Sequence, residues 1–250
     1  MDDILVTTTD HFLGRKLKIC QPERGYRAGV DPVLLAAAVP AEANESVLEL
    51  GCGVGVASLC LKSRISEVAV TGLEILPKLV QLARLNAVSN ALDFNVVEGN
   101  IVNLPRDLLE KSFDHVMANP PYFRRDSGIP GKNWMKEFAR VEITPLRIWT
   151  ETASRRVKPK GYVHFILRTE RLPELLDSLP HYMGSVEVTP LVPREGCMSG
   201  LMLLKARKSG RASFKLKPQI VMHQHGSHGS GTDGYTQHIS SVLRDGSALI

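Results

Sequence analysis

The tetrapeptide Asn119-Pro120-Pro121-Tyr122 groups residue types that suit the binding of a flat amine. Asn119 carries a side-chain oxygen, and Pro120 presents a backbone carbonyl in a loop that consecutive prolines stiffen. Two acceptors aimed at the two hydrogens of such an amine draw it toward tetrahedral geometry and localise its lone pair. Tyr122 adds a ring for stacking, worth on the order of 1–3 kcal/mol for a nucleic-acid base. We therefore predict all four as catalytic residues that act by positioning and electrostatics.

A glycine-rich turn upstream indicates what reacts with the amine. The predicted strand Ser46–Leu50 runs into Gly51-Cys52-Gly53-Val54-Gly55, and the tetrapeptide follows another predicted strand, Phe113–Ala118. Glycines let the backbone turn sharply beside a ligand, and the helix that follows offers free N–H groups. Alone, the turn is a weak signal, and a plain proline-rich strand-to-loop turn is the less favoured alternative for the tetrapeptide. Together they predict S-adenosyl-L-methionine as a methyl-donating cofactor bound at Gly51, Gly53 and Gly55.

Two carboxylates are placed to assist this cofactor. Glu49 lies just before the turn, where it orients the motif and meets the ammonium group of the cofactor. Glu74 ends the next predicted strand, where a carboxylate accepts hydrogen bonds from both ribose hydroxyls. The alternative for Glu74 is an acid that caps the following helix.

Five further positions complete the predicted cofactor site. Asn100 is expected to bond the edge of the cofactor's adenine, with Ile101 packed on the ring; an Asn in a simple turn is the alternative. Asp31 is predicted as an N-cap, and the helix start formed with Gly29 has a possible second role in holding the methionine portion. Asn119 is expected to reach the cofactor as well as the amine.

The order of predicted elements positions these residues at one edge. Strands alternate with helices, which implies a parallel sheet covered on both faces, closed by a C-terminal antiparallel hairpin. In such sheets ligands bind beyond the carboxyl ends of the strands. The predicted strands are 47–50, 68–73, 94–97, 113–118, 162–167, 186–191 and 201–206. The predicted helices are 56–62, 77–89, one that starts at Pro145 with Thr144 as its N-cap, and 172–179.

Composition sets the broad class. A chain of 250 residues with 43% hydrophobic and 23% charged residues is ordinary for a soluble globular protein. The longest apolar run, Val33–Val39, is too short to span a bilayer, and the N-terminus has no signal-peptide pattern, so a cytoplasmic location is expected. The four cysteines contain no CxxC pair and the histidines at 223, 225 and 228 lie in a glycine-rich stretch, so no metal is expected.

The predicted domain division has three parts. Residues 1–45 form an N-terminal extension that covers the cofactor, residues 46–210 the catalytic core, and residues 211–250 a C-terminal extension with a flexible linker at Gly226–Gly234. The polar stretch Phe123–Asn133 is a candidate flap over the substrate. Tyr235–Leu243 is predicted to form a strand or a helix.

These motifs resemble those of the class I S-adenosylmethionine-dependent methyltransferases with an NPPY motif. The chain is most similar to bacterial tRNA (adenine-N(6))-methyltransferases, which modify an adenine next to the anticodon of a valine tRNA. The resemblance covers about residues 10–210 and rests on Gly29–Asp31, Leu34–Ala37, Glu49–Gly55 and Asn119–Tyr122, in that order. It implies a Rossmann-like, mostly parallel seven-stranded sheet with an antiparallel last strand, and methyl transfer to an adenine amine in RNA.

The substrate is less well specified than the chemistry. The same tetrapeptide occurs in enzymes that methylate DNA adenine, ribosomal RNA guanine or a protein glutamine, and a nicotinamide oxidoreductase is a more distant alternative. The chain leaves no room for a DNA-recognition domain or an N-terminal helical domain, so RNA, with tRNA first, is the expected partner. Its net charge of +5 permits this. Basic clusters that qualify for phosphate contacts are Arg124-Arg125, the group from Arg155 to Lys160, and Lys205, Arg207, Lys208, Arg211, Lys215 and Lys217.

Overall fold

A computed structural model describes residues 5–25, 27–121, 144–224 and 234–249 of the chain. Helices and strands alternate through the centre, as the sequence predicts. The strands are β1 (Thr7–Phe12), β2 (Leu17–Pro22), β3 (Ser46–Leu50), β4 (Ala69–Glu74), β5 (Asn95–Glu98), β6 (Phe113–Ala118), β7 (Val157–Arg168), β8 (Met183–Val192), β9 (Leu201–Lys208), β10 (Lys215–Leu216) and β11 (Ile220–Val221). The helices are α1 (Asp31–Ala38), α2 (Val56–Arg64), α3 (Pro77–Ser89), α4 (Arg106–Leu109), α5 (Leu146–Arg156), α6 (Leu172–Ser178) and α7 (Gln237–Asp245).

The central sheet has the strand order β5-β4-β3-β6-β7-β9-β8, with β10 and β11 added along the outer side of β8. β9 is antiparallel to both neighbours, and the other pairings are parallel. This confirms the expected fold class. The last strand of the core sheet, β9, lies between β7 and β8 and is antiparallel to both. Since β3, β4, β5 and β6 are parallel, their carboxyl ends meet at one edge, and the order changes direction between β3 and β6.

Two apolar layers hold the sheet. One face packs against α1, α2, α3 and α7, and the other against α4, α5 and α6. The strands β3 and β6 at the centre are buried on both faces, as the continuous apolar sequence of such strands requires. The centre of the sheet is therefore a rigid base for the loops that leave its carboxyl edge.

The N-terminal hairpin β1–β2 was not expected from the sequence, which reads there as extended and charged. β1 is mostly polar, whereas β2 buries Leu17 and Ile19 in the core, and hydrogen bonds from α3 also hold β2 in place. The side chain of Asn86 in α3 bonds both the N–H and the C=O of Cys20, and Asn90 bonds the N–H and C=O of Lys18 in the same way. These amide pairs substitute for a third strand, because each asparagine presents one donor and one acceptor to the strand edge.

Helix starts differ slightly from the predictions. α1 begins at Asp31 with Val30 in the N-cap position, so the predicted N-cap at Asp31 is wrong by one residue. α5 begins at Leu146 with Pro145 as its N-cap residue and no capping side chain, so the predicted cap by Thr144 is also wrong. In both cases a proline was predicted as the first helical residue. α1 instead begins one residue before Pro32, and α5 begins one residue after Pro145.

The C-terminal segment joins the same body. β10 and β11 extend the sheet, and α7 buries Ile239 and Val242 against α1, where Leu249 also donates its N–H to Ala37. The Tyr235–Leu243 region is therefore helical. Of the predicted linker Gly226–Gly234, all but Gly234 lies outside the described residues, as does the predicted flap Phe123–Asn133. The division at residues 45 and 210 stays a proposal.

Candidate active site

A cavity of about 380 Å³ opens at the carboxyl edge of β3, β4 and β5. This volume is within the usual range for small-molecule sites. Its walls come from the glycine-rich turn after β3, the loop after β4, the loop after β5 and the start of α5. They are Gly51, Leu73, Glu74, Ile75, Leu76, Pro77, Gly99, Asn100, Ile101, Thr144 and Trp149. Four residues predicted to bind the cofactor, Gly51, Glu74, Asn100 and Ile101, thus line one cavity.

The glycine-rich turn is shaped by the neighbouring strand. The N–H groups of Gly51 and Cys52 both donate to the carbonyl of Leu73, at 2.8 and 3.0 Å. Gly51 adopts a φ of +69°, and a Cβ at this position would lie 2.8 Å from Cη2 of Trp149. Two separate reasons therefore require glycine at position 51: the left-handed backbone and the indole against it.

Glu74 braces this turn from the end of β4. Its Oε2 accepts the N–H of Gly53 at 2.8 Å, and its Oε1 accepts the N–H of Leu76 at 2.9 Å. The side chain is buried, and burial raises the pKa of its carboxyl above the ordinary value, against the lowering effect of these backbone donors. The backbone N–H groups of Gly53, Ile75 and Leu76 all bond this carboxylate, and its two oxygens have about four acceptor positions, so it has capacity for a further donor. The predicted ribose role is compatible with this geometry and remains a prediction; the contact to Leu76 also fits the helix-capping alternative.

Glu49 lies behind the turn. It is buried, and its Oε2 accepts both the N–H and the hydroxyl of Ser58 in α2, at 3.0 and 2.5 Å. Burial, opposed by these hydrogen bonds from Ser58, raises the pKa of Glu49 to about 8. The contact joins β3 to the helix that follows the glycines, which agrees with the motif-orienting role. Contact with an ammonium group stays a prediction.

The loop after β5 carries Asn100 and Ile101. Oδ1 of Asn100 accepts the N–H of Val102 at 2.8 Å, so this oxygen closes a turn of its own. The amide NH2 of Asn100 is the group left to face a ligand, and it is a donor. Ile101 is half-buried at the cavity wall. The turn interpretation and the adenine-edge interpretation are thus compatible for Asn100, because they use different atoms of the side chain.

Asn119 directly follows β6, the strand that pairs with β3 at the centre of the sheet. The residue before it, Ala118, pairs with Leu50, so Asn119 and Gly51 leave the sheet at the same edge. The Oδ1 atom of Asn119 is buried and has no hydrogen-bond partner among the residues that the structure describes. Pro120 is buried next to it, and the carbonyl of Pro121 accepts a bond from Arg171. A buried acceptor without a donor costs about 1–3 kcal/mol and indicates a site completed by another molecule. Tyr122 lies outside the described residues.

The predictions at the start of α1 are not brought to this cavity. Neither Gly29 nor Asp31 is among the lining residues, and Gly29 is exposed at the surface. Gly53 and Gly55 also lie behind the lining, in the turn that Glu74 and the Leu73 carbonyl hold. A contact between the methionine portion of a cofactor and Gly29 or Asp31 stays a prediction.

Sequence reasoning missed two functional positions. Trp149 lines the cavity, although its place in the apolar stripe of α5 made it look like an ordinary core residue. Asn86 is 1% exposed and donates to the carbonyl of Val54 in the glycine-rich turn at 3.0 Å. The only available signal was a polar residue in the middle of an otherwise apolar helix face, between Ala83 and Ala87.

The described residues do not meet the requirements of a membrane-spanning helix or of a metal site. None of their helices is long and apolar enough to cross a membrane. They contain no cluster of three or more His, Cys, Asp or Glu side chains arranged to hold a metal ion. His223 is instead stacked on Tyr235, with ring centroids 4.6 Å apart. His225 and His228 lie outside the described part of the chain.

Known proteins that are similar to this chain are methyltransferases. Residues 28–138 match the family described as methyltransferase small domain. The chain is 26% identical over 237 residues to a tRNA1(Val) (adenine(37)-N6)-methyltransferase of Haemophilus influenzae, covering 94% of this chain and 97% of the relative. It is 31% identical over 176 residues to the enzyme of the same name from Porphyromonas gingivalis, covering 67% and 68%.

A solved structure adds to this. The crystal structure of a predicted O-methyltransferase from Agrobacterium tumefaciens is similar with a TM-score of 0.71 and 25% identity, over 88% of this chain and 98% of that one. The cavity beside the glycine turn, with an acid at the end of β4, fits a nucleoside cofactor. The similarity to the two relatives shows that this chain belongs to the same family of class I methyltransferases as they do. It is an S-adenosylmethionine-dependent N-methyltransferase.

Proposed function

We propose that this protein methylates the exocyclic N6 amine of an adenine in RNA, with a tRNA, near its anticodon, as the preferred substrate. The observation that carries the proposal is the buried Oδ1 of Asn119, which no described residue bonds, at the carboxyl end of β6 and at the sheet edge where the cavity opens. An oxygen in that state is an acceptor kept for a donor that arrives with the substrate. An exocyclic amine supplies such a donor.

The chain's own residues act on the amine by geometry. Oδ1 of Asn119 and the carbonyl of Pro120 accept its two hydrogens, which withdraws the lone pair from the ring and directs it at the methyl group. S-adenosylmethionine, when bound, supplies an electrophilic methyl group on its sulfonium. The prolines keep the two acceptors in place, since proline fixes φ and restricts the residue before it. Stacking by Tyr122 is proposed from the sequence alone.

The names of the relatives support adenine in tRNA as the target class. Both relatives described above are named as enzymes that act on position 37 of a valine tRNA, and the Haemophilus influenzae enzyme matches this chain over nearly the whole of both sequences. The alternatives within the same chemistry are a guanine N2 amine in ribosomal RNA and a protein glutamine amide. The same two acceptors would hold either of them.

Surface charge gives weaker support. Arg155 pairs with Glu151, Arg156 donates to carbonyls at the end of α4, and Lys158 pairs with Asp114, which favours a structural role for this cluster. Lys205 and Lys215 share Glu187. Arg211 and Lys217 continue that second run at the outer side of the sheet and remain our candidates for RNA phosphates. Arg124-Arg125 lie outside the described residues.

The test offers labelled S-adenosylmethionine with total tRNA, ribosomal RNA and release factor as separate substrates. We expect label in tRNA, recovered as N6-methyladenosine after digestion to nucleosides. Label only in protein, or only as methylguanosine in ribosomal RNA, would remove the adenine proposal.

Variants of Asn119 connect the activity to the site. Asn119→Ala should abolish transfer, a loss of at least about 100-fold as for other positioned transition-state groups, while cofactor affinity stays within about threefold. Asn119→Asp keeps an acceptor oxygen in a side chain of the same shape and should retain more activity than Asn119→Ala. Equal loss of cofactor binding and transfer in Asn119→Ala would mean that the residue is structural.

A further inference from the structure

An arginine in the turn after β7 holds the backbone of the proposed amine site. Nη1 of Arg171 donates to the carbonyl of Pro121 at 3.1 Å. Arg171 ends the short 3-10 turn Thr169–Arg171 that follows β7, the strand next to β6 in the sheet. The corner at Asn119–Pro121 and the turn that carries Arg171 therefore leave the sheet side by side.

The guanidinium of Arg171 forms a bidentate salt bridge with Glu174. Its Nε and Nη2 donate to the two carboxylate oxygens of Glu174, at 3.1 and 3.0 Å. The Arg171 side chain is only 14% exposed, against 88% for Arg106 in a comparable surface pair with Glu110. A bidentate pair fixes the plane of the guanidinium. Because Nε and Nη2 both bond Glu174, the guanidinium has one orientation, and in that orientation Nη1 points at the Pro121 carbonyl.

The 3-10 turn that carries Arg171 is itself held by hydrogen bonds to the start of β9. The hydroxyl of Thr169 lies 2.8 Å from that of Ser199, and the N–H of Thr169 donates to the carbonyl of Gly200 at 3.2 Å. These contacts fasten the end of β7 to the start of β9, and Leu175 in α6 is fully buried behind them. The position of the guanidinium thus derives from the sheet and not from a flexible surface side chain.

We propose that Arg171, oriented by Glu174, is a positioning residue that sets the direction of the Pro120 carbonyl toward the substrate amine. Proline fixes φ at both positions, so ψ of Pro121 is the one soft dihedral between the Pro120 and Pro121 carbonyls. The bond from Arg171 holds the Pro121 carbonyl and thereby restricts that rotation. The inference rests on the proposed function, in that it takes the Asn119–Pro121 corner as the amine site.

A phosphate-binding arginine would behave differently from a positioning one. A phosphate contact contributes to RNA affinity and to its salt dependence. A positioning contact contributes to the rate of transfer in the assembled complex, where displacements of about 1 Å cost about 100-fold. The buried side chain and its three bonds within the protein favour the second role for Arg171.

The test compares Arg171→Ala, Arg171→Lys and Glu174→Gln. The control is Arg106→Ala, which breaks the exposed surface pair between Arg106 and Glu110. Single-turnover transfer to tRNA, cofactor affinity, tRNA affinity with its salt slope, and thermal unfolding are measured for each. We expect the transfer rate of Arg171→Ala to fall about 10- to 100-fold with both affinities within about twofold. Arg171→Lys should be intermediate, Glu174→Gln should show a smaller loss, and Arg106→Ala should match the unmodified protein.

Two outcomes would overturn the proposal. One is a normal transfer rate in Arg171→Ala; the other is a loss confined to tRNA affinity and salt slope. If Arg171→Ala does not fold, a normal rate in Arg171→Lys overturns it equally. Asn119→Ala, run in parallel, separates this from the proposed function: an inactive Asn119→Ala beside a normal Arg171→Ala rejects only the positioning role, whereas an active Asn119→Ala rejects both.

Discussion

The carboxylate of Glu74 accepts the N–H of Gly53 at 2.8 Å, so the end of β4 is bonded directly to the glycine-rich turn after β3. The same carboxylate accepts the N–H of Leu76 and lies at the cavity wall. One side chain thus shapes the turn and offers acceptors to a ligand. Sequence position alone assigned only the second of these roles.

Replacing Glu74 by Gln should weaken S-adenosylmethionine binding about 10- to 100-fold, because hydrogen bonds to a charged acceptor contribute about 1.5–3 kcal/mol. Calorimetric titration of the cofactor measures this. Glu67→Gln, an exposed acid just before the same strand, is the matched control and should bind normally. Unchanged affinity in Glu74→Gln would show that the carboxylate does not contact the cofactor.

Asn86 should couple the N-terminal hairpin to cofactor binding. Its NH2 donates to both Cys20 and Val54, whereas Asn90 makes a similar amide pair with Lys18 but does not reach the turn. We expect Asn86→Ala to lower both stability, by about 1–3 kcal/mol, and cofactor affinity. Asn90→Ala should lower stability alone. Denaturant unfolding and cofactor titration of both variants check this, and equal affinities would refute the coupling.

Trp149 should report cofactor binding by fluorescence. The chain has two tryptophans, and the ring of Trp149 lies at the cavity and against Gly51. In a Trp134→Phe variant, adding S-adenosylmethionine should change the emission, since the surroundings of the remaining indole change. A saturable signal with the same midpoint as calorimetry would agree with the assigned cavity. An unchanged spectrum at saturating cofactor would place binding elsewhere.

Glu49 should make the stability of the protein pH-dependent. Burial raises its pKa to about 8, whereas the unfolded carboxyl titrates near 4.5. Between these values the folded state holds a proton that the unfolded state has released. The free energy of unfolding therefore falls as pH rises through this window, by up to about 5 kcal/mol as an upper limit.

The matched variant for this effect is Glu49→Gln, which is similar in shape and does not ionise. Its stability should change less between pH 5 and pH 8 than that of the unmodified protein, and it should be the more stable of the two at pH 8. Urea unfolding at several pH values measures the difference. Parallel curves for the two proteins would mean that Glu49 stays ionised in the folded state.

The sequence by itself determined the order of the central elements and the positions of the motifs. The bounds of α3 and β6 are as predicted, and the β8–β9 hairpin is confirmed. Apolar periodicity and proline or glycine boundaries are local signals, so they are readable without the fold. The glycine turn, Glu74, Asn100 and Asn119 could be assigned to one edge because parallel strands bring their carboxyl ends together.

Only the tertiary structure decided which distant residues support that edge. Arg171 reaches Pro121, Asn86 reaches Val54, and Trp149 closes the cavity against Gly51. In the sequence these residues look like a surface arginine, a stray polar residue and a core tryptophan. The hairpin β1–β2 likewise could not be predicted, because α3 supplies hydrogen-bond partners for β2. Contacts between residues far apart in the chain depend on how elements pack, and no local pattern encodes that packing.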